Sequence, residues 1–315
     1  MDRTTTTPGD SLTRYGGSIP GGARQAAYRL TAPAASELPI LIAVPHAGRA
    51  YPGALLDSMR NPGFAALKLE DRFVDLLGEG VRRETGVPLL VAQAPRAMID
   101  LNRAEEEVDW DMFARGKPDS LGSYSPGVRV RSGLGLIPRR IPGLGELWKR
   151  RHEHSELESR IAAIHRPYHE ELARTLVAMR DRWGAALLID LHSMPPLGAN
   201  GAQQAAEFVV GDRFGTACDG ALIGACFGHF AELKRLAAHN RPYAGGYVLE
   251  RHAAPAAGIH AIQLEIDRTS YLDSRMAEPG PGFDDMVTML AGLVRRLAIA
   301  VADLGRRGEW ASAAE

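Results

Sequence analysis

A chain of 315 residues, 45% apolar and 24% charged, has the make-up of an ordinary globular protein, long enough to bury a large core as one big domain or two small ones. Its formal net charge of −1 argues against the basic field of a nucleic-acid or membrane-surface binder. Two cysteines, Cys218 and Cys226, exclude a disulfide framework and a Cys-x-x-Cys zinc pair, and no apolar run reaches the roughly 18 residues of a membrane span.

The Thr-rich start, Met1 to Pro8, lacks the apolar stretch of a secretory signal, so the expected compartment is cytoplasmic. Residues 1–25 read as a flexible tail, 26–305 as one folded domain and 306–315 as a C-terminal tail. The first strand lies in Leu38–Val44 and delivers His46 into a Pro/Gly turn. Asp71–Glu84 reads as a helix, with Phe73, Leu76, Leu77 and Val81 at helical spacing and Gly86 as its stop. Val87–Ala92 and Ala97–Leu101 read as strands, the second running into Asn102-Arg103.

Residues 110–150 are rich in Gly, Pro and Arg and read as a long, ordered loop, a kind of segment that is usually functional. Its Gly133-Leu134-Gly135 lacks the strand-then-helix setting of a dinucleotide fingerprint. From Ser155 to Arg182, apolar residues at Leu157, Ile161, Ile164, Tyr168, Leu172, Leu176 and Met179 predict an amphipathic helix, broken at Pro167. Ala185–Leu191 is an apolar run too short for a helix; it leads through Asp190-Leu191-His192-Ser193 to a Pro195-Pro196 stop, the pattern of a buried strand. Glu207–Val210 is a short strand, Arg213–Ala238 mostly helix, Ile259–Ile266 a strand and Asp284–Leu304 a final helix. The alternation predicts a single α/β domain with a mixed, mostly parallel sheet and helices on both faces.

Polar residues gather at the strand ends, where open α/β sheets place their ligands: His46, Glu70-Asp71, Asn102-Arg103, His192 and Glu265. A catalytic zinc takes three protein ligands and leaves a position for water, and two histidines with one carboxylate match that count. A separate carboxylate must then carry the water's proton to the leaving nitrogen. Glu265, alternating with apolar neighbours on its strand, is placed for this. Plainer readings stand beside these. A single strand-end histidine is more often structural; Glu70 and Asp71 read equally as a helix cap; Asn102-Arg103 reads as a surface turn. His165-x-x-x-His169 has metal-compatible spacing but carries Pro167 within it, and reads as structural.

Several stretches together point to a family. They are Val44-Pro45-His46-Ala47-Gly48, Glu70-Asp71, Asp100-Leu101-Asn102-Arg103, Gly133-Leu134-Gly135-Leu136-Ile137-Pro138-Arg139, Asp190-Leu191-His192-Ser193-Met194-Pro195, Asn240-Arg241-Pro242-Tyr243-Ala244-Gly245-Gly246-Tyr247 and Ile262-Gln263-Leu264-Glu265-Ile266-Asp267-Arg268. The chain resembles the N-formylglutamate amidohydrolases. The resemblance implies a zinc-carboxypeptidase-like, phosphorylase/hydrolase-like fold, akin to the aspartoacylase and succinylglutamate desuccinylase group. It implies one Zn2+ per chain on His46, His192 and Asp71, with Glu70 as the alternative carboxylate. Glu265 would be the general base, and Arg103 would bind a substrate carboxylate or polarise the carbonyl. Substrate contacts are expected from Asn102, Arg103, Arg139, Arg213, Tyr243, Gly245, His260 and Arg268, with Arg139 able to close the long loop over the site. The implied reaction is hydrolysis of N-formyl-L-glutamate to formate and L-glutamate in histidine breakdown. The expected partner is a small acidic molecule, not nucleic acid or membrane. The same chemistry on another N-acyl amino acid, and a non-catalytic metal- or metabolite-binding protein, are the alternatives. The chain departs from the family after Gly246-Tyr247, reading Glu250-Arg251-His252-Ala253-Ala254 where a His-Tyr-Gly stretch is usual.

Overall fold

Short apolar runs become the centre of the fold. The computed structural model describes residues 4–7, 11–33, 36–198 and 205–312. Its strands are β1 (Thr4–Thr7), β2 (Ser11–Gly16), β3 (Tyr28–Pro33), β4 (Ile40–Val44), β5 (Leu89–Ala92), β6 (Arg140–Ile141), β7 (Gly145–Glu146), β8 (Ala186–Met194), β9 (Phe208–Gly211), β10 (Ala237–His239) and β11 (Ile259–Asp267). Its helices are α1 (Gly53–Ser58), α2 (Pro62–Leu69), α3 (Val74–Thr85), α4 (Val128–Arg131), α5 (His154–Arg160), α6 (Arg166–Trp183), α7 (Gly220–Glu232), α8 (Tyr247–His252) and α9 (Phe283–Ser312).

Nine of these strands form one mixed sheet in the order β1-β2-β3-β5-β4-β8-β11-β9-β10. The central β5, β4, β8 and β11 run parallel, while β1, β2 and β3 on one side, and β9 on the other, add antiparallel. Every residue of the four central strands is buried, as expected where helices cover both faces. Leu41, Ala43, Leu90 and Leu188 pack on Tyr168, Leu172 and Leu176 of α6. Ile42, Val44, Leu187 and Ile189 point the other way, onto Leu77 of α3, Leu222 of α7 and Leu290 and Leu297 of α9. The alternation puts Asp190, His192, Gln263 and Glu265 on the α6 side, near the carboxyl ends of parallel neighbours.

The N-terminal segment differs from expectation. Residues 11–16, read as part of a flexible tail, pair antiparallel with β3, and β1 adds outside them. Threonine and tyrosine are polar enough to suggest a tail, yet they are strong strand formers. The chain then docks on the helix that Pro167 was expected to break. Pro167 has no N–H for the carbonyl of Ala163, four residues earlier. Ser18 supplies one instead, its N–H 2.9 Å from the Ala163 oxygen, and Gly17 (φ +60°) permits the approach. A π-turn over Ile161–His165 takes up the misfit, and the helical path continues from α5 through α6.

Three other elements also differ. Ala97–Leu101 forms no strand; it is a run of turns, closed by Met98 N–H to Pro95 O and Arg103 N–H to Asp100 O. The helix expected over Arg213–Ala238 is confined to α7, and β10 follows it. The helix α9 continues to Ser312, so much of the expected C-terminal tail is helical. The 110–150 loop is ordered: Phe113, Leu136, Ile137 and Trp148 are buried, and Trp148 Nε1 donates to Pro138 O at 2.7 Å. No helix among the described residues is long and apolar enough to cross a membrane.

Candidate active site

Two strands and a helix end converge on one buried cluster. His46 follows β4, His192 lies on β8, and Asp71 follows α2, where its N–H donates to His46 O at 2.9 Å. Asp71 Oδ2 is 2.9 Å from His192 Nδ1 and 3.6 Å from His46 Nδ1. One donor atom from each of the three lies within 4.8 Å of the others, so the group could hold a metal ion.

The second ring nitrogens support that fit. His46 Nε2 meets Asp100 Oδ1 at 2.7 Å, and His192 Nε2 meets Asp190 Oδ2 at 2.9 Å. A carboxylate on Nε2 fixes the proton there and turns the Nδ1 lone pair into the cluster, the arrangement that orients and strengthens imidazole ligands. Asp100 is itself held by Arg96, and Asp71 Oδ1 by Arg268 Nη2 at 3.1 Å. Burial alone would raise the Asp71 carboxyl, but hydrogen bonds from His192 and His46 hold it well below the usual carboxylate range. Four buried carboxylates, Asp71, Asp100, Asp190 and Glu265, surround two imidazoles, with the guanidiniums of Arg96 and Arg268 set against them. That excess of negative charge suits a divalent cation.

Glu265 sits beside the cluster, in register with His192 across the β8–β11 ladder, and accepts from Gln263 Nε2 at 2.8 Å. Burial pushes its carboxyl up to about 7. A carboxylate poised near neutral pH is suited to taking up and releasing a proton.

A cavity of about 510 Å³ opens over these groups. Of the expected contacts, Asn102, Arg103, Arg213, Tyr243, Gly245 and Arg268 line it. Asn102 ties the wall together: Nδ2 donates to Gln263 Oε1 at 3.3 Å and Oδ1 accepts from Val248 N–H at 2.9 Å. A Cβ at Gly246 would lie 2.4 Å from Asn102 Oδ1, so only glycine lets the turn close there. Arg103 is buried, with Nε donating to Leu134 O and Nη1 to Asn102 O; among the described residues its Nη2 makes no hydrogen bond.

Arg139 and His260 do not reach the cavity. Arg139 is paired with Asp109 at 3.0 Å inside the long loop, where a buried carboxylate needs a counter-charge. His260 alternates with Ala261 and so shares the face of Ile262 and Leu264, opposite to Glu265. Glu70, the alternative to Asp71, turns instead to Arg72 at 3.1 Å and is absent from the cavity wall. In the divergent segment, Glu250 lines the cavity and pairs with Arg213 at 2.9 Å, while His252 is buried against His169.

Some wall and support residues were not anticipated. Asp190 and His192 are two apart on a strand and so share a face, a pattern legible in the sequence. Asp100 joins His46 across 54 positions, which no local pattern announces. Arg129, from α4 in the long loop, lines the cavity in place of Arg139.

Residues 38–272 match the family model described as N-formylglutamate amidohydrolase. The chain is 30% identical over 240 residues to an N-formylglutamate deformylase of Pseudomonas putida, covering 75% of this chain and 82% of that protein. It is 26% identical over 260 residues to another protein of that name from Pseudomonas aeruginosa, covering 76% and 84%. A solved N-formylglutamate amidohydrolase from Ralstonia eutropha superposes with a TM-score of 0.79 at 30% identity, covering 90% of this chain and all of that one. The match spans the strands that carry His192 and Glu265 and the turns that carry His46 and Asp71, and on that ground the chain belongs to the N-formylglutamate amidohydrolase family.

Proposed function

We propose that this protein is a zinc-dependent amidohydrolase that cleaves N-formyl-L-glutamate to formate and L-glutamate, a step of histidine degradation. The observation that carries the reading is the convergence of His46, Asp71 and His192 beside Glu265 on the floor of a polar cavity. Two imidazole nitrogens and one carboxylate oxygen are a donor set suited to catalytic zinc, which when bound lowers the pKa of a water to about 7 and polarises a carbonyl. Asp100 and Asp190 hold the two rings, and Arg268 holds Asp71. Glu265 takes the proton of the attacking water and returns it to the amide nitrogen as the C–N bond breaks. Arg103 offers its free Nη2 to a carboxylate of the substrate.

Formate release from N-formylglutamate, measured together with elemental analysis, tests the reading. The purified protein should release formate and carry about one zinc per chain, lose activity to a chelator and regain it with zinc. Hydrolysis of N-acetyl- or N-succinylglutamate in preference to the formyl compound would move the assignment to another acyl group. Absence of hydrolysis across that panel in metal-loaded protein would sink it.

A further inference from the structure

A substrate with two carboxylates calls for two cations, and the cavity wall offers several. Three of them are already paired with carboxylates. Arg96 is held by Asp100, Arg268 by Asp71 and Arg213 by Glu250. Arg103 is buried next to Asn102, which is linked through Gln263 to Glu265, so it stands close to the reacting end. In N-formylglutamate the α-carboxylate is on the carbon bonded to the amide nitrogen, whereas the side-chain carboxylate lies two methylenes further out. A single arginine at the depth of Arg103 suits the first.

Arg129 is exposed, at the cavity wall, on the short helix α4. Its neighbour Val130 is buried and anchors the helix, while residue 129 stays on the exposed side. Among the described residues the Arg129 side chain makes no hydrogen bond or ion pair. Its charge nonetheless reaches the interior of the cavity. After burial and the larger effects of Asp100, Arg96 and Glu107, it bears on Arg103; after burial and Glu265, it bears on Tyr243. Two guanidinium groups facing one cavity repel each other until an anion comes between them. Lys68, which like Arg103 and Arg129 makes no ion pair among the described residues, lies over the Phe64 ring and offers a point charge where a guanidinium offers a carboxylate-matching fork.

We infer that Arg129 recognises the side-chain carboxylate of the substrate and so sets the preference for an acidic over a neutral acyl-amino acid, an inference that rests on the proposed N-formylglutamate activity. The test is the ratio of kcat/KM for N-formylglutamate to that for N-formylglutamine, which has the same shape without the charge. In Arg129→Gln the ratio should fall about 5- to 30-fold, the lower range of a charge-assisted contact because the site is partly exposed. The loss should come mainly through KM. Arg129→Lys should keep part of the preference, and its melting temperature and that of Arg129→Gln should match the wild type. An unchanged ratio, an equal fall on both substrates, or a shift produced by Lys68→Gln in place of Arg129→Gln would each overturn the inference. Wild-type protein that releases formate from neither compound would instead remove the underlying activity, and the inference with it, before any variant is made.

Discussion

Each imidazole of the cluster is gripped from both sides. His46 stands between Asp100 and Asp71, and His192 between Asp190 and Asp71. His46→Ala and His192→Ala should therefore each lose most bound zinc and nearly all activity; about one equivalent of zinc in His192→Ala protein would contradict the assignment. Asp71→Ala should empty the site and Glu70→Ala should not, since Glu70 turns to Arg72. Asp190→Asn removes only the charge behind His192, so zinc affinity should weaken about 10- to 100-fold without abolishing binding, measured by competition with a chelator. Glu265→Gln separates base from ligand. It should keep zinc and fold while kcat drops at least ~10²-fold; loss of metal would make Glu265 a ligand. Arg103→Lys should lower kcat/KM for N-formylglutamate about 10- to 150-fold, because an ammonium cannot replace the planar fork.

At the level of elements, the strands bring the chemistry to one edge and the turns shape the cavity above it. The turn before α8 can close on Asn102 only because residue 246 has no side chain. Gly246→Ala forces a methyl against the Asn102 amide. It should cost about 1–3 kcal/mol of stability in urea unfolding, the usual penalty for overpacking. It should also lower kcat/KM by loosening the Asn102–Gln263 contact beside Glu265. Unchanged stability and activity would mean that the turn yields freely and does not position Asn102. Pro167 illustrates the same dependence between elements. A helix-breaking residue is tolerated because a segment about 150 positions earlier supplies the missing N–H to Ala163, in a contact of the kind that caps orphaned carbonyls.

Across the whole molecule, buried neutral histidines tie stability to pH. Burial, with the charge of Arg251, pushes His252 down to about 3; burial, with Arg160, pushes His152 down to about 4. His252 Nε2 lies 2.9 Å from His169 Nδ1, so one neutral ring donates to the other, and protonating both would set two N–H groups face to face. The unfolded chain protonates these rings below about pH 6.5, whereas the folded chain resists down to about 3–4. Their contribution is therefore complete above pH 6.5 and is lost as the pH falls toward 4. Melting temperature should drop over that window, and less steeply in His252→Gln than in the wild type. Because the cluster's own titrations are common to both proteins, they cancel in the comparison. Parallel slopes would mean that His252 accepts a proton in the folded state.

Short-range pattern was enough to read the central strands, the helices α3, α6 and α9, the two strand-end histidines and the facing of Glu265. Periods of 2 and 3.6 are imposed by the backbone itself, and burial then selects apolar residues on them. The same period of 2 by itself separates His260 from Glu265, five positions apart. Tertiary packing decided the rest. It chose Asp71 over Glu70, because one residue step after α2 turns one carboxylate to the imidazoles and the other to Arg72. It brought Asp100 to His46 and Ser18 to Ala163, contacts whose partners are far apart in sequence. It paired Arg139 with Asp109 and left Arg129 facing the cavity, although both come from one Gly- and Pro-rich loop. Such a loop has no period to read, and which of its charges meets which counter-charge is settled only when the loop closes on the core.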